Sequence, residues 1–372
     1  MRLLSLLLVG SVLIAACSDP VTEPTLVTPP VAEQAKPELL PVEPALSSVE
    51  SATTPPASAT NLLKRERKLA VMGTELAITA LHADADLLDR ALDAAVLEIR
   101  RVEDLMTDWR ASPLTTLNQV EGNGPFEMPA ELASLIDRGL AVAELSGGAF
   151  DPTFRTFGKL WDFKAVPPKL PQQAAIDRAL ARCGWQKVEV DLATAKITRP
   201  EGMEIGLGGI AKGYGVDRAM AVLMEFGIEH AVVNAGGDLK ALGRNFDDLW
   251  SIAIRHPRDR EQVIALLPIS NTCVVTSGDY ERFFEYQGKR YHHILDPRTG
   301  YPAEGCMSAT VVSPDAAIAD ALATAVCVLG VEKGFALIES LPRIDALAVD
   351  MDGKVHATSG LLKALPEAAS EE

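Results

Sequence analysis

The sequence predicts an α+β fold, and three observations predict it. Long stretches of helical periodicity alternate irregularly with short Val- and Ile-rich runs, with neither a βαβ rhythm nor a repeat of fixed period. The pair Asp352-Gly353 sits between the strand-like runs 346–349 and 354–357, a signal for a tight antiparallel hairpin. Hydrophobic residues make up 48% of 372 positions, enough apolar surface for one large domain.

The elements follow from these patterns in chain order. Residues 69–80 read as a strand carrying Met72-Gly73-Thr74. Residues 84–106 read as an amphipathic helix, because Leu87, Leu88, Ala91, Ala95, Val96, Ile99, Val102 and Met106 recur at helical spacing. A second helix starts at Pro129, buries Leu132, Leu135, Ile136, Leu140 and Leu145, and stops at Gly147-Gly148. Residues 187–190 and 195–198 form a short strand pair. The glycines of 206–209 open a helix running to about residue 226. Strands are expected at 231–235, 251–255, 264–269 and 307–313, and a helix at 316–329. Residues 346–349 and 354–357 then flank the Asp352-Gly353 turn.

The N-terminus has a separate character. Arg2 precedes an apolar run ending in Ile14-Ala15-Ala16-Cys17. Such a run is too short to span a bilayer and suits the apolar region of a signal peptide. Small residues directly before a cysteine resemble the bacterial lipobox, in which that cysteine is lipidated and becomes the mature N-terminus; a plain secretory signal is the alternative. Residues 18–60 hold nine prolines, no glycine and no aromatic residue. That composition cannot bury a core and reads as a semi-extended tether. The expected organisation is a signal peptide over 1–16, lipidated Cys17 and tether over 17–63, a catalytic domain over 64–362 and a tail over 363–372.

Net charge and cysteine spacing exclude some chemistries. A net charge of −16 without a basic stripe argues against nucleic acid, since phosphate backbones need clustered Lys and Arg. Cys183, Cys273, Cys306 and Cys327 are scattered without a CxxC pair, which argues against zinc and dithiol redox sites.

Several segments can carry chemistry. In 206–214, glycines precede Lys212 at a helix start, where backbone N–H groups and the helix dipole favour an anion. Ala211 and Gly213 flank Lys212 where a P-loop needs Gly and Ser or Thr, and Pro200 breaks the strand a Rossmann motif requires. Asp320 and Thr324 stand one helical turn apart, so both oxygens leave one face, a hard-oxygen pair suited to Mg²⁺. The alternative is local capping by Asp320. His293, beside the turn residues 296–300, is a candidate base, since imidazole is best poised for proton transfer near neutral pH. Asp151, fixed by Pro152, can receive a ligand donor or close an Asx turn. The segment 234–238 reads as a glycine turn at a sheet end.

Taken together these segments resemble the ApbE family, the FAD:protein FMN transferases. The markers run in the family's order: Met72-Gly73-Thr74, Ser112 to Leu117-Asn118, Gly148-Ala149-Phe150-Asp151-Pro152-Thr153, the glycine–Lys212 segment, Asn234-Ala235-Gly236-Gly237-Asp238, Thr276-Ser277-Gly278-Asp279-Tyr280, 293–302 and 319–324. The resemblance covers roughly residues 64–360. It implies an ApbE-like, T-fold-like arrangement of mixed sheets with packed helices. It implies FAD contacts at Met72, Trp109, Ala149, Phe150, Asp151, Lys212 and Ile294, with Trp109 standing where the family usually carries Tyr. It implies Mg²⁺ ligands at Asp320, Thr324 and the backbone carbonyl of Gly209, and a base at His293, with Asp279 as the alternative. Gly206 departs from the family, which usually has Asp there.

The implied reaction cleaves FAD and attaches FMN through a phosphoester to a Thr or Ser hydroxyl of an acceptor redox protein, releasing AMP. The implied setting is a lipid-anchored protein facing the periplasm, with the inner membrane favoured over the outer. An FAD pyrophosphatase and a non-enzymatic flavin-binding lipoprotein are the competing readings.

Overall fold

A computed structural model describes residues 61–364 apart from residue 260. The chain enters the fold through a hairpin of β1 (Leu63–Val71) and β2 (Thr74–His82), which turns on Met72 and Gly73 at φ 51° and 71°. Positive φ at both central residues is the type I′ geometry, whose twist matches that of the strands. The single strand expected over 69–80 is therefore two paired strands. A two-residue turn preserves the in–out alternation on both sides, so the pattern alone does not reveal it.

Asp84 caps α1 (Ala85–Met106) by accepting the Leu87 N–H, and Ser112 caps α2 (Pro113–Gln119) with a reciprocal bond to Thr115. β3 (Phe126–Glu127) leads into α3 (Ala130–Leu145), and the short α4 (Arg155–Gly158) and α5 (Gln173–Leu180) follow. β4 (Glu189–Asp191) and β5 (Lys196–Thr198) pair as expected, with β3 as a third strand. Next come α6 (Ala211–Glu225), β6 (His230–Ala235), β7 (Asp238–Leu242), β8 (Trp250–Arg255), β9 (Val263–Ile269), β10 (Thr272–Gly278), β11 (Phe283–Tyr286), β12 (Lys289–His292) and β13 (Ser308–Ser313). The chain finishes with α7 (Ala316–Glu339), β14 (Asp345–Val349), β15 (Val355–Ala357) and α8 (Ser359–Ala364). The described residues belong to one compact unit.

Eight strands form the main sheet in the order β1-β2-β6-β7-β10-β13-β14-β15, and every adjacent pair is antiparallel. Its two faces are covered differently. The β8–β9 hairpin covers one, placing Trp250, Ile254, Leu267 and Ile269 against Leu239, Val274, Val312 and Leu347. Helices α1, α6 and α7 cover the other and bury the main apolar cluster. A satellite cluster of Phe157, Trp161, Phe284, Tyr291 and Tyr301 joins the α4–α5 region to β11–β12 through stacked and edge-on rings.

The helix expected over 316–329 continues to Glu339 across a kink at Gly330 (φ 78°, ψ 176°). The kink coincides with a close backbone approach, since a Cβ on Gly305 would lie 2.4 Å from the Cys327 carbonyl oxygen and 2.5 Å from the Gly330 nitrogen. Although α7 is long and apolar enough to cross a bilayer, it packs on α6, β10 and β13 as a core helix. The signal segment, Cys17 and nearly all of the tether lie outside the described residues, as does nearly all of the tail. The first strand begins at Leu63.

Candidate active site

The glycine segment, α6 and α7 meet where the sequence placed its chemistry. Asn118, at the end of α2, holds the approach to the glycines. Its amide N donates to the Ile205 carbonyl and its oxygen accepts the Ile205 N–H, both at 2.8 Å. At Gly209 the missing side chain leaves room for two neighbours: a Cβ there would be 3.2 Å from both the Phe150 ring and the Thr324 hydroxyl. Phe150 is fixed in turn by its N–H, which donates to the Ser146 hydroxyl at 3.1 Å. The Thr324 hydroxyl lies 3.4 Å from that of Ser277 at the end of β10.

One turn before Thr324, Asp320 is buried in the Ala-rich α7 but not alone. Its Oδ2 accepts the Gly213 N–H at 3.3 Å, and its Oδ1 lies 3.5 Å from Lys212 Nζ. Lys212 Nζ is closer to a second acid, 2.7 Å from Asp238 Oδ2 at the start of β7. Asp238 is fully buried, and its Oδ1 has no hydrogen-bond partner. Burial and the Asp320 charge push the Asp238 carboxyl well above its ordinary range, while the Lys212 ammonium pulls it back. Burial works against the Lys212 ammonium, but the two carboxylates outweigh it and raise its pKa.

The sequence placed Asp238 in a glycine turn and gave it no role. No local spacing relates it to Lys212, 26 residues earlier. Pairing of β6 with β7 and packing of α6 on both strands bring the two together.

Asp320, Thr324, Ser277 and the neighbouring Gly209 backbone offer carboxylate, hydroxyl and carbonyl oxygens, the hard donors that Mg²⁺ takes. The unpartnered buried oxygen of Asp238 adds a second carboxyl group to the same cluster. Among the described residues no set of three His, Cys, Asp or Glu side chains is grouped for a metal. The residues present therefore fit a hard, water-retaining cation and not a zinc-type site.

His293 follows β12, its N–H bonded to the Arg282 carbonyl at 3.0 Å. Its Nδ1 is buried without a partner. Burial first, then the positive charges of Arg282, His292 and Lys212, pushes its pKa down to about 3. The imidazole is thus neutral at neutral pH, the form in which it accepts a proton. The alternative base, Asp279, is held at 2.6 and 2.5 Å by both terminal nitrogens of Arg258, with Arg290 3.7 Å away. That carboxylate is committed to ion pairing.

The His293 shift has a consequence for stability. The unfolded side chain takes up a proton near pH 6.5, whereas the folded one does so only near 3. Stability is fully present above about 6.5 and declines as pH falls toward 3, by on the order of 2 kcal/mol at pH 5. Denaturant titrations at pH 7 and pH 5 are expected to show a smaller loss in His293→Gln than in the unsubstituted chain. Equal losses would show that the acid sensitivity arises from other groups.

The remaining candidates are placed as follows. Met72 sits in the strained hairpin turn, its N–H held by the Glu103 carboxylate at 2.9 Å. Gly215 of α6 leaves room for the Met72 sulfur, 3.2 Å from where a Cβ would stand. Gly73 approaches Arg282 in the same way, which ties the turn to the His293 loop. Ala149 and Ile294 are buried in the main core. Both oxygens of Asp151 are engaged within the fold, by the N–H groups of Thr153 and Trp185 at 2.8 and 3.0 Å. Trp109 stands on the loop after α1 with 59% of its surface exposed, and the preceding Asp108 pairs with Arg155. At Gly206, a Cβ would meet the Phe154 ring at 2.9 Å and Arg155 Cβ at 3.1 Å. Phe154 and Arg155 fill the space that a side chain there would need.

A buried carboxylate and a half-buried hydroxyl one turn apart, beside a lysine at a glycine-rich helix start, equip a protein to handle phosphate groups. A sequence profile described as the ApbE family matches residues 72–348, and the chain belongs to that family. It is 38% identical over 269 residues to the FAD:protein FMN transferase of Treponema pallidum, covering 68% of this chain and 74% of that protein. It is also 38% identical over 276 residues to one from Klebsiella pneumoniae, covering 73% and 86%. The crystal structure of the ApbE protein of Thermotoga maritima superposes with a TM-score of 0.75 at 34% identity, over 82% of this chain and 100% of that one. The apo flavinyl transferase ApbE of Pseudomonas stutzeri gives 0.74 at 27% identity, over 83% and 98%.

Proposed function

We propose that this chain is an FAD:protein FMN transferase that depends on Mg²⁺. A Thr or Ser hydroxyl of an acceptor protein attacks the FMN-side phosphorus of FAD, a phosphoester forms, the pyrophosphate bond breaks, and AMP leaves. The observation that carries this reading is the convergence of Asp320 and Thr324 with Gly209 and Lys212 around one small volume. Family membership supports the same activity.

Each residue has a physical task. Asp320, Thr324 and the Gly209 carbonyl are the groups that would hold Mg²⁺. Mg²⁺ bound there supplies charge neutralisation for the phosphates. The bare glycine segment allows close approach by the pyrophosphate, and Lys212 offsets its charge from the helix start. Neutral His293 accepts the proton of the attacking hydroxyl. Burial chiefly, and then the positive field of Arg282 and Lys212, weakens it as a base, and the incoming phosphates offset the second of these. Met72, Trp109, Ala149, Phe150, Asp151 and Ile294 are assigned to FAD by position in the family pattern. Catalysis then rests on positioning and charge stabilisation, as in phosphoryl transfer generally.

The acceptor is a membrane redox protein with an accessible Thr or Ser. Lipid on Cys17 anchors the enzyme, the Pro-rich tether lets the domain stand off the bilayer, and the site faces the periplasm, on the inner membrane in preference to the outer.

Hydrolysis of FAD by water is the second reading, favoured by the exposed Trp109 at the family's Tyr position. One experiment separates the two. The full chain in detergent is incubated with FAD, Mg²⁺ and a Thr-containing flavinylation peptide, and the peptide is weighed. Transfer adds the mass of FMN less one water. Free FMN and AMP with unaltered peptide would establish hydrolysis instead, and intact FAD would defeat both readings.

A further inference from the structure

Lys212 Nζ lies between two buried acids but not midway: 2.7 Å from Asp238 and 3.5 Å from Asp320. Asp238 contributes little else. Among the described residues its hydrogen-bond donor is Lys212, the Asp320 carboxyl lies beside it, and its Oδ1 is buried without a partner. A carboxylate buried in this way is costly to the fold. Its position at the start of β7 needs no charge, since strand pairing there is made by the backbone.

The ammonium is the informative partner. An ammonium and a divalent cation compete for the same carboxylate oxygens, and in a buried site neither is displaced cheaply. At 3.5 Å the ammonium makes only a long contact with Asp320 Oδ1; were Lys212 to close on it fully, the carboxylate assigned to Mg²⁺ would be neutralised. We propose that Asp238 is a positioning residue that holds the Lys212 ammonium off Asp320 and so leaves Asp320 open to the divalent cation. The inference rests on the reading of Asp320 and Thr324 as the cation site. It adds a device that keeps a lysine for the phosphates from blocking the metal.

The test is a double-mutant cycle on Mg²⁺ affinity, read by titration calorimetry on the full chain in detergent without FAD. Four proteins are compared: unsubstituted, D238N, K212M and D238N/K212M. Asn keeps the shape of Asp, and Met keeps the apolar stem of Lys. D238N is expected to weaken Mg²⁺ binding by about tenfold when Lys212 is present, a coupling usual within one ion-pair network. In the K212M background the same change is expected to cost less than about twofold. A merely electrostatic contribution of Asp238 predicts equal losses in the two backgrounds, and a merely structural role predicts a loss of folding that K212M does not relieve; either result overturns the inference. D238S carries the same cycle should D238N fail to fold. No Mg²⁺ uptake by the unsubstituted chain would instead refute the cation site itself.

Discussion

Asp320→Ala is expected to abolish transfer of FMN to an acceptor peptide, and Asp320→Asn to come close to doing so. Metal charge stabilisation in such reactions is worth several kcal/mol. A loss of about 4 kcal/mol corresponds to about a thousandfold in rate. The Asn variant is the cleaner probe. It preserves volume in a fully packed helix face, where Ala319, Ala321 and Ala323 are completely buried, and an amide oxygen can still accept the Gly213 N–H. Its defect is therefore one of charge, whereas the Ala variant also opens a cavity and strips Gly213 of its acceptor. Peptide mass after incubation with FAD and Mg²⁺ is the measurement. Full transfer by the Asn variant, unaffected by chelation of Mg²⁺, would sink the proposed chemistry.

Gly213→Ala is expected to damage the fold severely for the addition of a single methyl group. A Cβ at that position would fall 2.1 Å from the Ala316 carbonyl oxygen, 2.5 Å from its carbon and 2.9 Å from Ala317 Cα. These are backbone atoms at the start of α7 and cannot rotate away, so α6 and α7 must part. Overpacking of this kind costs about 3 kcal/mol or more. Alanine's better helix propensity returns only about 1 kcal/mol. The net loss of about 2 kcal/mol lowers the thermal midpoint by on the order of 5 °C. Because Gly213 donates to Asp320, the same displacement also moves the site. Gly208→Ala is the control, since nothing lies within 4 Å of a Cβ there. Equal midpoints for the two variants would show that the α6–α7 contact tolerates a methyl group.

Parts of this molecule are legible from local pattern because their causes are local. The α1 stripe, the glycine stop after α3 and the Asp352-Gly353 hairpin all depend on residues within a few positions of each other. Asp320 and Thr324 are legible for the same reason, because a helix fixes the spacing of two side chains one turn apart. The hairpin turn at Met72 is not, because a two-residue turn leaves the alternation of its strands intact. Strands β7, β11 and β12 are not legible either, because each is short and set among turn residues, and β10 ends in the polar Thr276-Ser277-Gly278, which reads as a turn.

By itself the sequence determined the α+β class, the helices that carry the chemistry, the candidate cation pair, Lys212, His293 and the family pattern. Only the tertiary structure decided which acids share Lys212, that Asp279 is taken up by Arg258 and Arg290, that Asp151 accepts two backbone N–H groups, and that Phe154 and Arg155 fill the space beside Gly206. The physical reason is range. Periodicity, capping and turn chemistry act over a few residues, whereas the partners of a buried charge are chosen by antiparallel strand order and helix packing across the whole chain.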